Sequence, residues 1–187
     1  MQWKNHSREM AAGSHALFGA SNYHWLNYDF DKAAEYIRNM RAKDRGTKLH
    51  EFAAKAIQYR RPLSGRDTLA KYVNDAIKFG MDTEVPLYFS PYFFGTTDAI
   101  AVDGRKLRIS DLKTGTTPAS IKQLLVYDAF YCLDYGVAPK EIEHELRIYQ
   151  NDEIILEKPK WQEIQEVMDK VVDFNRGFIT LESEGSL

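Results

Sequence analysis

The chain is short of cysteine, of charge imbalance and of long apolar runs, and each shortage removes a class of protein. Cys132 is the only cysteine among 187 residues. No disulfide can form within the chain, and no four-cysteine zinc or iron–sulfur site can be built from it alone. A single thiol suits a reducing interior, so a cytoplasmic location is expected. Nothing approaches the roughly 20 apolar residues that a membrane-spanning helix needs, and Met1-Gln2-Trp3-Lys4-Asn5-His6 lacks the apolar stretch of a secretory signal. No membrane partner is expected. Proteins that hold nucleic acid by charge usually carry a basic surplus, yet here 25 Lys and Arg face 27 Asp and Glu, a net charge of −2. Any nucleic-acid surface must be local, or assisted by metal ions.

What is present reads as one globular domain over 1–187, with 44% hydrophobic and 28% charged residues. Aromatic residues are abundant at 13%; they serve first as core, and base stacking is their second available use. The first 20 or so residues, with Ala11-Ala12-Gly13-Ser14, have weak periodicity and read as a loosely ordered lead-in, with the core at about 29–158. Apolar positions from Asp29 to about Ala42 recur at helical spacing, and Gly46-Thr47 is expected to open a second helix. Ser64 or Asp67 caps a third helix running to about Phe79. Residues 83–90, 95–102 and 106–112 are rich in β-branched and aromatic types and read as strands. A helix from Pro118 to about Tyr135 follows, then strands over 141–149 and 153–156 and a closing helix over 160–178. The order implies an α/β (α+β) domain in which a central mixed sheet is flanked by helices and carries a β-meander.

Asp103-Gly104 is a strong hairpin signal. A two-residue turn there sets Val102 against Arg105 and Asp98 against Ile109. Asp111 then becomes a diagonal neighbour of Asp98 on the same face, roughly 7–8 Å away at the backbone. Two carboxylates so placed repel unless a cation lies between them, and oxygen ligands suit Mg2+ or Mn2+. Lys113, two residues beyond Asp111, falls on the same face by strand alternation. Of the 27 acidic residues only Asp111 is followed by lysine at that offset. Such a set is suited to hydrolysing a phosphodiester with a metal-activated water. The plainer alternative is a pair of solvated charges on a polar hairpin face. A phosphohydrolase of small phosphoesters is a third reading, but its expected glycine-rich loop, GxxxxGK[ST], is absent.

In chain order, Gly46-Thr47-Lys48-Leu49-His50-Glu51, Glu84, Gly95-Thr96-Thr97-Asp98, Asp111-Leu112-Lys113-Thr114-Gly115, Gln123 and Tyr127 together resemble the PD-(D/E)XK nuclease superfamily, and within it the RecB-type exonuclease branch. Gly19-Ala20-Ser21-Asn22-Tyr23-His24-Trp25-Leu26 is similar to the entry segment of phage-encoded relatives. The resemblance implies a restriction-endonuclease-like fold with the site on the meander. It implies Asp98, Asp111 and the Leu112 carbonyl as metal ligands, His50 as an added ligand, and Lys113 as the catalytic lysine. Gln123 and Tyr127, spaced i, i+4, would lie beside the site; Glu51 and Glu84 would support it or hold a second metal. Relatives with an iron–sulfur cluster need cysteines this chain lacks. Arg60, Arg61, Arg66 and Lys71 are candidate phosphate contacts. Tyr23 and Trp25, with Tyr88, Tyr92 and Phe93, are candidate stacking groups. The implied activity is a Mg2+- or Mn2+-dependent deoxyribonuclease, an exonuclease acting at single- or double-stranded DNA ends in phage or bacterial recombination, in the bacterial cytoplasm. A helicase or recombination partner, or a homo-oligomer, would supply any processivity. An endonuclease with the same site, or a silent nucleic-acid- or protein-binding module on the same fold, is the alternative.

Overall fold

A strong cap starts the first long helix. Asp29 Oδ1 accepts the Lys32 amide at 2.8 Å, satisfying one of the donors that a helix start leaves open. The computed structural model describes residues 17–18, 20–115 and 117–185, so most of the expected lead-in lies outside the described residues. The chain falls into two compact units, one through Arg45 and one from Gly46. The first holds a 3-10 helix, Ala20–Asn27, and the start of α1, Phe30–Gln58. Its rings cluster: Phe18 meets Trp25 edge-on and also packs on Tyr36.

The expectation of separate helices breaking near Gly46 is corrected, because α1 runs unbroken through it. Glycine costs a helix interior about 1 kcal/mol relative to alanine, so its use here needs another reason. A Cβ on Gly46 would stand 2.8 Å from Thr114 Oγ1; the glycine lets the chain leaving the third strand pass against the helix.

From Gly46 onward, the second unit sets a five-stranded mixed sheet among helices, the expected α+β class. In chain order it holds α2 (Thr68–Lys78), β1 (Asp82–Ser90), β2 (Phe93–Asp103), β3 (Lys106–Leu112), α3 (Lys122–Tyr135), β4 (Glu143–Gln150), β5 (Glu153–Glu157) and α4 (Trp161–Ser183). The strands lie in chain order, antiparallel except for the parallel pair β3–β4, which α3 connects. Asp67 caps α2 as expected, and Gly136 closes α3 in the left-handed conformation. The start of α3 is corrected from Pro118 to Lys122. Gln150 holds the intervening loop extended: its Nε2 donates to the Gly115 and Thr117 carbonyls while its Oε1 accepts the Ala119 amide.

Two cores sandwich the sheet. Ala53, Ile57, Tyr72, Val73, Met81, Ala99 and Leu112 fill one side, from α1 and α2. Leu107, Ile109, Leu124, Phe130, Leu146 and Val171 fill the other, from α3 and α4. Strand alternation slips at one level. Thr83 accepts a hydrogen bond from Gln58 of α1, yet Val85 belongs to the α3 core. Glu84 between them has a left-handed φ of 54°, an unusual conformation for a side chain on a strand. On β2, Gly95 lies against Tyr127 of α3, while Ala99 and Ala101 belong to the α1 side.

The β2–β3 turn is also corrected. Asp103 pairs with Lys106 and Ile100 with Ile109, so the turn residues are Gly104-Arg105. Gly104 has φ 59° and Arg105 has no positive φ, the pattern of a II′ turn, which needs a glycine only at its first position. Placing the turn on Asp103-Gly104 would force Asp103 left-handed as well. Asp98 therefore does not face Ile109 but comes level with Asp111, just past the last β2–β3 pair, Ala99 with Ser110.

Candidate active site

Where β2 and β3 part, the ladder leaves polar backbone groups open, and side chains take their place. Asp98 Oδ2 accepts the Leu112 amide at 2.9 Å and lies 3.3 Å from His50 Nδ1. On β3, Asp111 is nearly buried, at 3% exposure. Its Oδ1 takes a hydrogen bond from Lys113 Nζ at 3.1 Å. Its Oδ2 lies 2.9 Å from the same ammonium but outside hydrogen-bond geometry, and is a buried oxygen with no hydrogen-bond partner. Lys113 also donates to Gln123 Oε1 at 2.8 Å, and Gln123 Nε2 reaches Tyr127 Oη at 3.3 Å. The Lys113 amide is held by the Tyr149 carbonyl at 2.9 Å, so β4 fixes the backbone beneath the lysine.

The sequence-expected residues thus assemble in two linked groups. His50 and Asp98 meet on the α1 side; Asp111, Lys113, Gln123 and Tyr127 form a chain toward α3. They come together where β2 and β3 part, with Asp98 level with Asp111 across the two strands. Leu112 contacts the site through its amide; its carbonyl as a ligand remains a sequence expectation. Glu84 falls between the pairs Thr83–Ala99 and Val85–Thr97, opposite Asp98. With His50, Glu51, Lys55 and Gln58 it lines a cleft of about 450 Å³.

Charge accumulates here. Burial pushes the Asp111 carboxyl above its ordinary range and the Asp98 charge adds to that, against Lys113 and His50. Burial, then Asp98, raises Glu84 as well, against His50. The hydrogen bond to Asp98 raises His50, opposed by burial. A site in which one carboxylate's charge disfavours ionisation of two others favours an added cation.

The candidate phosphate contacts follow the end of α1 or lie in and just before α2. Arg60, left-handed at φ 50°, approaches the Met81 carbonyl at 3.5 Å, and Lys71 donates to the Asp152 carbonyl. Arg61 and Arg66 are exposed. Among the described residues none of the four pairs with Asp98, Asp111 or Lys113. Tyr23, 61% exposed, stacks on His24 within the first unit, where Trp25 also lies.

Two features escaped the sequence reading. One is the left-handed Glu84, which no local signal announces. The other is Phe94, which stacks on Tyr88 at 6.3 Å and 28° with both rings more than half exposed. Alternation along Phe94-Thr96-Asp98 offered a signal for it. The Asp134 carboxylate holds the Tyr88 amide at 2.9 Å, fixing that platform to α3. No protein-family model, no curated protein and no solved structure matches the chain.

Proposed function

We propose that the chain is a metal-dependent nuclease of the PD-(D/E)XK kind, hydrolysing DNA phosphodiester bonds from ends. The observation that carries this reading is the Asp111–Lys113–Gln123 chain set beside Asp98 and His50 at the parting of β2 and β3. A buried carboxylate, a lysine and a second carboxylate meet there with little else to do.

The donors suit a hard divalent cation in kind: an imidazole, two carboxylates and the Leu112 carbonyl, with the orphaned Asp111 Oδ2 as an unsatisfied ligand atom. Among the described residues no three His, Cys, Asp or Glu side chains are yet spaced as a metal-holding group; Asp98 is turned to Leu112 and His50, and Asp111 to Lys113. Asp98, Asp111 and His50 would hold the ion, with Glu84 and Glu51 at the cleft beyond. When bound, Mg2+ or Mn2+ supplies Lewis-acid stabilisation of a phosphoryl oxygen and lowers the pKa of water.

The protein's own part follows from its contacts. Asp111 and Gln123 hold the Lys113 ammonium at a fixed point, so it can donate to a developing phosphorane oxyanion without reorganising. Gln123 is oriented by Tyr127, and Tyr127 is seated against Gly95. His50 keeps Asp98 from swinging away. Phe94, further along the Asp98 strand, and Tyr88, paired with it from β1, offer bases a stacking surface.

The test is cleavage of end-labelled linear single- and double-stranded DNA beside closed circles, with Mg2+, Mn2+ or EDTA. Metal-dependent loss of linear DNA alone is expected, with Lys113→Ala and Asp111→Asn each lowering the rate by at least about a hundredfold. Cleavage by either variant at wild-type rate removes the assignment. Cut circles would make it an endonuclease. DNA held but uncut under every metal is the result expected of a binding module.

A further inference from the structure

The last strand of the sheet has the composition of a core and the environment of a surface. Among the described residues β5 pairs only with β4, and its outer edge presents backbone donors and acceptors to solvent. Its centre is three consecutive apolar residues, Ile154, Ile155 and Leu156, exposed by 39%, 41% and 45%. Glu153 and Glu157 bracket them, and all five residues are exposed. Open edges of this kind invite another strand, and proteins blunt them with charged residues, proline or a bulge; within β5 only the two flanking glutamates do so, and Lys158-Pro159 end the strand.

Charge and symmetry say which strand fits. In an antiparallel pair, closely and widely spaced hydrogen-bonded rings alternate. Two copies of β5 related by a two-fold axis must therefore place one residue against its own copy. With Ile155 on the axis all five residues pair, but Glu153 of each copy then faces Glu157 of the other, two like-charge contacts. Moving the axis to Ile154 or Leu156 shortens the ladder to three pairs and sets a glutamate against Ile155. Self-pairing is disfavoured in every symmetric register. A strand with apolar residues between two lysines or arginines meets no such conflict. Its cations fall on the side of Glu153 and Glu157, its central apolar residue meets Ile155, and its other two meet Ile154 and Leu156.

We infer that the β5 edge is a docking site for an extended segment of a partner protein, apolar at its centre and basic at both ends, that adds to the sheet as a sixth strand. Main-chain hydrogen bonds supply the affinity and the two glutamates the selectivity.

The experiment uses the full chain and two labelled peptides, each with three valines between two flanking residues and a glycine at either end. The flanks are lysines in one peptide and glutamates in the other. Fluorescence anisotropy is expected to show the lysine peptide binding about tenfold more tightly, an advantage that shrinks with added salt. Amide resonances of Glu153 to Glu157 should shift on binding. The double charge reversal Glu153→Lys with Glu157→Lys lies on an exposed strand and should reverse the preference. Equal binding, no binding of either peptide, or a preference that survives the reversal overturns the inference. So does a wild-type dimer in sedimentation that dissociates on the Ile155→Lys change, which would make a second copy the occupant.

Discussion

With Asp128 ionised, His144 has no neutral form that satisfies its surroundings. Its Nδ1 lies 2.9 Å from both Asp128 carboxylate oxygens and its Nε2 2.9 Å from the Pro139 carbonyl. Opposite an ionised Asp128 both ring nitrogens face acceptors, so both donate and the ring is an imidazolium. Burial opposes the charge, but Asp128 and Pro139 outweigh it and the His144 pKa is raised above 6.5. Because the folded value exceeds the unfolded one, the pair's contribution to stability is complete below about pH 6.5. It is lost as pH rises through the folded value. Burial also pushes the Asp128 carboxyl up from 3.8, a separate contribution whose loss begins at that lower pH. The urea midpoint of the wild type should therefore fall between pH 6 and pH 9. Asp128→Asn removes the counter-charge, which costs about 3–5 kcal/mol at low pH, where the ring stays charged. It should also let His144 lose its proton, so that the variant no longer weakens as pH rises. An unchanged slope in Asp128→Asn would show that this pair does not set the pH dependence.

At the scale of elements, β2 and α3 approach closely beside the site. A Cβ at Gly95 would stand 2.8 Å from Tyr127 Cε1, so Gly95→Ala must displace a ring that positions Gln123 and, through it, Lys113. Overpacking of this kind costs about 1–3 kcal/mol. The variant should melt a few degrees lower while losing far more of its turnover than of its DNA affinity. A kcat equal to the wild type's would show that Tyr127 does not orient the lysine. The same elements show what could be read in advance. Strands and helices followed from alternation and periodicity, and Asp67 and Gly136 marked helix ends because capping is local chemistry. Asp98, Asp111 and Lys113 stood out because an acid with a lysine two residues on is rare in this chain. The register did not follow. Asp103-Gly104 and Gly104-Arg105 both make acceptable turns, and only the whole ladder chooses between them. By contrast Asn151 and Asp152, both left-handed at φ 51° and 59°, form the two-residue β4–β5 turn that the expected strand ends leave room for. The left-handed Glu84 and the unbroken helix through Gly46 depend on packing between distant segments, which no local pattern carries.

Over the whole molecule, charge balance is nearly even, at −2, yet it is unevenly spent. Arg108 and Arg147 share Glu145 and lie 4.7 Å over the Phe79 ring, which ties up two of the most buried cations in packing β3 and β4 beneath α2. Glu84 and Asp111, each raised by burial and then by the Asp98 charge, instead gather around Asp98, with His50 and Lys113 as compensation. A fold that concentrates negative charge at one end of its sheet pays for it in stability until a cation arrives. A divalent ion that binds the folded chain alone stabilises it by about 2.7 kcal/mol at a concentration a hundred times its Kd, or about 5–10 °C in Tm for a protein of this size. Mn2+ without DNA should therefore raise the Tm of the wild type, and Asp111→Asn should abolish most of the rise. Because it removes a charge from a crowded acidic site, Asp111→Asn should also melt no lower than the wild type when EDTA is present. A Tm indifferent to Mn2+ in the wild type would argue that Lys113 and His50 already complete the site, and would shift the balance toward a module that holds nucleic acid without cutting it.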